Sequence, residues 1–221
     1  MKTYRTLFCG ALCGLALGAS AEEWLPGPWT ARIELGGNIP ENPSLTLLDG
    51  PVTGGDELDL SAGVQFNAAI GYRLQPWLIL EGEFGISGND INAVGNWTYP
   101  DSFMNQFSMM MNLVMERPEG VVRPFAGIGA GGVVSSLTFG EYYFYGYNEA
   151  DGEGTDFVGA AQAFGGVRFQ LAENMNLGVT YRALFVDDQK WKVHWWNGAD
   201  FKIGVNSMLI HSINLSFSVN F

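Results

Sequence analysis

From residue 60 to residue 72 the side chains alternate. Leu60, Ala62, Val64, Phe66, Ala68, Ile70 and Tyr72 fall on one parity, and Ser61, Gly63, Gln65, Asn67, Ala69 and Gly71 on the other. Successive side chains of a strand leave opposite faces of the backbone, so this run predicts a two-faced β-strand. The same period predicts strands over 29–36, 78–86, 106–113, 126–131, 161–169, 176–183 and 212–221. The fifth, 126–131, has an ambiguous parity because it holds only Gly, Ala and one Ile. In the others one parity is aliphatic and aromatic and carries no charge at the strand centre. The opposite parity carries Arg32, Glu34, Gln65, Asn67, Glu81, Glu83, Gln106, Asn112, Gln162, Arg168 and Arg182.

The connections alternate in length. Short turns are expected near 74–76, 116–120 and 171–174, and long loops near 37–58, 87–102, 136–158 and 186–204. Strands of globular proteins are usually ~5–6 residues long, whereas a tilted membrane-spanning strand needs ~9–11. The expected fold is therefore all-β: an eight-stranded antiparallel up-and-down transmembrane barrel with short periplasmic turns and long extracellular loops. Closure removes the strand edges that lipid cannot solvate. A soluble barrel is the alternative, with its apolar face inside and its polar face wet. Tyr72, Trp77, Phe125, Phe169 and Phe221, with Trp29, fall at the short-turn ends, where an interfacial aromatic girdle belongs.

Composition sharpens this. Charged residues make up 15% of the 221, against 47% hydrophobic, and the mean hydropathy is only +0.07. The net charge of −12 opposes phosphate, so no nucleic-acid partner is expected. Lys2 and Arg5, the apolar stretch 7–17 and Ala19-Ser20-Ala21 read as a secretory signal cleaved after Ala21. The domains are then a signal peptide, 1–21, and the barrel, 22–221. Cys9 and Cys13 lie in the signal, so the exported chain relies on no disulfide.

Three stretches and the terminus carry a resemblance: Arg123-Pro124-Phe125-Ala126-Gly127-Ile128-Gly129-Ala130-Gly131, Phe164-Gly165-Gly166-Val167-Arg168-Phe169, Asn176-Leu177-Gly178-Val179-Thr180-Tyr181-Arg182, and Phe221. The chain resembles the OmpA/OmpX-like small outer-membrane β-barrel family. The resemblance implies the outer membrane of a Gram-negative-type bacterium, with outer-membrane lipids and lipopolysaccharide as surroundings. It implies recognition by the barrel assembly machinery through a last strand with Leu215, Phe217, Val219 and Phe221 alternating to an aromatic terminus. Ser216 stands where many members would have Gly.

Candidate chemistry lies in two places. Arg32, Glu34, Glu81, Glu83, Arg168 and Arg182 share the inward parity and form either a narrow gated ion path or a plug of ion pairs. The third long loop holds Tyr142, Tyr143 and Tyr145 before an acidic run, suited to an extracellular ligand or simply solvated. The fourth holds Trp191, Trp195 and Trp196 among Lys190, Lys192 and His194, suited to the lipopolysaccharide interface or to packing against strands. His211 and Ser212 are adjacent strand residues on opposite faces, so they form no nucleophile–base pair. No metal or cofactor motif is present. The expected function is a non-enzymatic outer-membrane barrel with a structural, surface-interaction or narrow-pore (porin-like) role. The alternatives are a lipid A-modifying enzyme and an adhesin-like binding module.

Overall fold

The computed structural model describes residues 27–49, 57–95, 97–98, 101–139, 152–195 and 200–221. Among them every regular element is a β-strand: β1 (Trp29–Pro40), β2 (Leu45–Asp49), β3 (Leu58–Leu60), β4 (Gly63–Gln75), β5 (Leu78–Val94), β6 (Trp97–Thr98), β7 (Phe103–Glu116), β8 (Val122–Phe139), β9 (Gly152–Ala172), β10 (Met175–Val186), β11 (Gln189–Trp195), β12 (Asp200–Val205) and β13 (Met208–Asn220). Eight of these, β1, β4, β5, β7, β8, β9, β10 and β13, pair antiparallel in a closed ring, with β13 returning to β1. The signal segment lies outside the described residues.

The register sets the barrel's shape. Paired residues followed round the ring from Trp29 pass through Tyr72, Leu80, Leu113, Ile128, Ala163, Ala183 and His211 and return to Ile39, ten residues further along β1. For eight strands ~4.8 Å apart, rising ~3.3 Å per residue, this stagger tilts them by about 40°. Outward positions from Trp29 to Ile39 are apolar or Gly. At that tilt they span roughly 25 Å, the height of the apolar band of an outer-membrane barrel. Trp29 and Tyr72 pack edge to face at its short-turn rim, 5.1 Å between centroids. Phe125, expected in that girdle, points inward instead and is 5% exposed. The Gly-rich stretch 127–131 continues its parity and fixes the ambiguous fifth strand with the glycines inside.

The strands run well past the band. The stretches expected as long loops near 87–102, 136–158 and 186–204 hold the ends of β5, β8 and β9 and the hairpin of β11 and β12. Four neighbouring strands are interrupted at one level, between β1 and β2, β3 and β4, β10 and β11, and β12 and β13. The backbone groups freed there find partners. Asn206 Oδ1 accepts from Ser44 N–H at 2.8 Å, and Asn206 N–H donates to Ser44 O at 3.0 Å. Asn42 Oδ1 accepts from Leu60 N–H at 3.0 Å, and Asp156 Oδ2 accepts from Lys190 N–H at 2.7 Å.

Above this level the two faces exchange chemistry: β5, β7, β8 and β9 keep their parity, while the inward parity slips by one residue across the breaks from β3 to β4, from β10 to β11 and from β12 to β13. In the band, outward positions are apolar or Gly, and inward positions are mostly polar above a small apolar group at the short-turn end. Beyond the band Asp90, Asn92 and Glu153 face out, while Leu58, Ile91, Met104, Leu137, Val186, Val193, Ile203 and Ile210 are buried inside. The protein is inverted where lipid is its solvent and has an ordinary oil-drop core where water is.

Candidate functional site in the barrel interior

Three tiers fill the interior. Nearest the short turns, Ile79, Val114, Phe125 and Phe164 form a small apolar floor. Arg168 is ion-paired with Glu116, and its guanidinium lies 4.2 Å from the centroid of the Phe125 ring.

The middle tier is a charge network contributed by four strands. Arg32 and Glu34 come from β1, Glu81 and Glu83 from β5, Gln162 from β9, and Arg182 from β10. Arg32 is paired with Glu34, and its Nη2 donates to Glu81 at 2.7 Å and to Glu83 at 2.9 Å. Arg182 Nη2 donates to Glu34 at 2.7 Å and to Glu83 at 2.9 Å. Arg182 Nη1 also donates to Glu83 and to Gln162. Gln162 in turn donates to Glu83 at 3.0 Å and to Asn112 at 2.7 Å, and Thr180 donates to Glu34 at 2.8 Å. Two guanidiniums thus serve three carboxylates across the lumen; Glu34 and Glu83 are each held by both arginines and a neutral donor, and Glu81 by Arg32. Both guanidiniums also lie over the Phe164 ring, at 5.6 and 5.0 Å. Desolvated ions need this degree of pairing to be tolerated.

Space for these long side chains comes from inward glycines. A Cβ on Gly127 would lie 2.5 Å from Cζ of Phe164, and one on Gly85 2.6 Å from Asn67 Oδ1. Phe164 is held under both arginines and has little room to yield. Gly127→Val is therefore expected to lower stability by about 1–3 kcal/mol, as overpacking does, measured as a reduced urea midpoint in lipid vesicles.

The third tier is the apolar cap beyond the band. Trp191, 1% exposed, stands at its base and donates from Nε1 to Ser135 Oγ at 3.1 Å. Ser135 donates onward to Gln189 at 2.6 Å. Trp191 is thus an interior residue rather than the loop-surface residue expected, because β11 continues the barrel and turns this position inward. Trp195 ends β11, and Tyr142, Tyr143, Tyr145 and Trp196 lie outside the described residues. A cavity of about 20 Å³ below the cap is lined by Gln65, Asn67, Gln106, Gln162 and Arg182 among others. That volume accommodates one water.

The structure brings together five of the six lumen residues read from the sequence. Arg168 stands apart with Glu116, a residue the sequence reading left in a turn. Glu116 continues the inward parity of Gln106, Met110, Asn112 and Val114, and that parity was the available signal. Leu215 and Phe221 face outward and are exposed, with Phe217 and Val219 half-buried on the same face. Ser212 is inside, accepting from Gln65 at 2.9 Å, and His211 is outside. Among the described residues no three His, Cys, Asp or Glu side chains are grouped to hold a metal ion.

The fold has solved relatives. Neisserial surface protein A is similar at a TM-score of 0.55 and 13% identity, over 88% of this chain and 98% of that one. OprG of Pseudomonas aeruginosa is similar at 0.55 and 12%, over 88% and 98%. The outer membrane protease OmpT of Escherichia coli is similar at 0.54 and 12%, over 90% and 99%. At such identities the likeness is one of fold. No curated protein sequence matches the chain. The family model of the outer membrane protein β-barrel domain matches residues 7–221, and the chain belongs to that family.

Proposed function

We propose that this protein is a sealed, non-enzymatic outer-membrane barrel, exported by a cleaved signal and acting as a structural and surface-presenting element. One observation carries the reading. The lumen is filled twice over, by the charge network at band level and by the apolar cap above it. An eight-stranded interior is just wide enough for side chains, and here they bond to one another. The charged groups Arg32, Glu34, Glu81, Glu83 and Arg182 are engaged with one another, and the sheet separates His211 from Ser212, which supports a role without catalysis. The outward parity of the last strand supports recognition by the assembly machinery, and the long-loop end is the surface offered to partners.

Planar bilayers containing the purified protein are expected to show no reproducible unitary conductance at ±100 mV. A regular ohmic step, growing in frequency with protein concentration, would replace this reading with the narrow-pore one. Lipid A mass spectra are expected to be the same with wild type and with His211→Ala. A wild-type-specific change in lipid A mass would favour the enzyme.

A further inference from the structure

β11 and β12 continue the wall of the barrel above β10 and β13. Their inward side chains Trp191, Val193, Ile203 and Val205 are buried in the cap. Their outward positions hold Lys190, Lys192 and Lys202, all exposed. Lys192 and Lys202 are direct cross-strand partners, and Lys190 is the next outward position along β11, opposite Gly204. Like charges placed opposite each other weaken an antiparallel pair, so the arrangement carries a folding cost. These three are all the lysines of residues 22–221. Among the described residues beyond the apolar band there is no other Lys or Arg. The surroundings are acidic. Asp187 and Asp188 are exposed just before β11, and Asp156 Oδ2 accepts the backbone N–H of Lys190. The register sets Asp49 opposite Lys202, and Asp200 and Glu153 opposite His194.

Height selects the kind of anion this patch can meet. Phe185 on β10 and Leu209 on β13 face each other in register, and Phe185, 46% exposed, is the last outward apolar side chain on its strand. Lys192 follows Phe185 by seven residues, and Lys202 precedes Leu209 by seven. At ~3.3 Å per residue on strands tilted by about 40°, the opposed lysines stand roughly 15–20 Å above that rim. The headgroup layer of a phospholipid leaflet is only about 5–8 Å deep. Phospholipid phosphates therefore lie below the patch, across a gap longer than a lysine side chain. An anion that reaches it either stands on sugars above the membrane surface or arrives from solution. A soluble polyanion must approach a chain of net charge −12. A glycolipid is delivered sideways, with its acyl chains already on the apolar band beneath.

We propose that Lys192 and Lys202, with Lys190 beside them, dock the anionic inner sugars of an outer-leaflet glycolipid. A phosphate or carboxylate lies between the opposed ammoniums and relieves their repulsion, and the acyl chains lie against the band below Phe185 and Leu209. Trp191 takes no part, since it points into the cap. The site names a partner for the surface described above and rests on the outer-membrane reading.

The test is native mass spectrometry of the full chain released from micelles doped with lipid A carrying two acidic Kdo sugars, with lipid A lacking them, or with phosphatidylglycerol. The wild type is expected to retain one sugar-bearing glycolipid about tenfold better than either of the others, the scale of two lysines acting on an anionic surface. Lys192→Gln combined with Lys202→Gln is expected to abolish that preference. Arg117→Gln, an exposed arginine at the short-turn end, is expected to leave it intact. Inorganic phosphate added at constant ionic strength is expected not to displace the glycolipid. Both variants are expected to keep wild-type heat-modifiable gel mobility, because each replaces an exposed side chain. Equal retention of the three lipids by the wild type overturns the proposal. So does the double variant binding like wild type, or Arg117→Gln losing the preference to the same degree. Displacement by inorganic phosphate overturns it in favour of a soluble anion. Loss of heat-modifiable mobility by the wild type would overturn the membrane-barrel reading and this site with it, whereas kept mobility without the lipid preference overturns the site alone.

Discussion

Arg182→Ala is expected to lower the unfolding free energy by about 3–5 kcal/mol, the cost of stripping the partner from a buried charge. The substitution removes the donors that bridge Glu34, Glu83 and Gln162 and leaves Arg32 alone against three carboxylates. Two of those carboxylates then face a low-dielectric lumen with too few donors. The barrel still inserts, because the outward face and the backbone ladder are untouched. Urea unfolding in lipid vesicles, followed by tryptophan fluorescence, measures the loss. Arg182→Lys is expected to fall between the two, since a single ammonium cannot reproduce a fork that reaches several acceptors. An Arg182→Ala midpoint equal to wild type would mean that the network contributes nothing to holding the barrel closed.

Trp191→Ala is the second large effect, with an expected loss of about 3–5 kcal/mol for truncating a buried aromatic. Trp191 fills the base of the cap and donates to both the carbonyl and the hydroxyl of Ser135. Its removal leaves a void and takes a donor from the Ser135 hydroxyl at the junction of the apolar cap and the polar lumen. The damage is confined to the part of the barrel above the band. Limited proteolysis in intact vesicles is expected to cut near the long-loop end of this variant much faster than in wild type. The membrane-embedded fragment is expected to remain protected. Unchanged proteolysis would show that the cap does not depend on Trp191.

The contrast between these two residues shows how far the sequence could be read. Arg182 was legible because period-two alternation places it with Gln162, Glu34 and Glu83 on the face opposite the aliphatic residues. Alternation survives whatever the partner strands are. Trp191 was not legible, because the inward parity slips by one between Val186 and Gln189 and because the inward face turns from polar to apolar along the strands. Met104, Leu137, Val186 and Ile210 keep the inward parity but change from polar to apolar, so a reading that equated apolar with outward lost the pattern and ended the strands too early. Phe125 failed for a related reason. An aromatic at the short-turn end fits an interfacial girdle by position, and only its odd number, shared with Gly127 and Gly129, places it inside. The Arg168–Glu116 pair depends on β7 extending to Glu116, and strand ends are set by cross-strand pairing rather than by local sequence. The ring of eight was readable from strand count and loop lengths. The stagger of ten residues is a property of register between strands, and composition along one strand does not encode it.

The central claim is that the apolar outward parity faces lipid within the band and gives way to a water-facing surface above it. Single-cysteine labelling measures this directly, in a background with Cys9 and Cys13 replaced by Ser. Leu215 is 64% exposed in the bare protein, and Asp90 is also exposed, on the outward face of β5 beyond the band. In sealed proteoliposomes or intact cells, Leu215→Cys is expected to resist a membrane-impermeant maleimide until the protein is unfolded. Asp90→Cys is expected to react within minutes. Equal labelling of the two before unfolding would mean that the outward face meets water within the band as it does above it, and it would contradict the account.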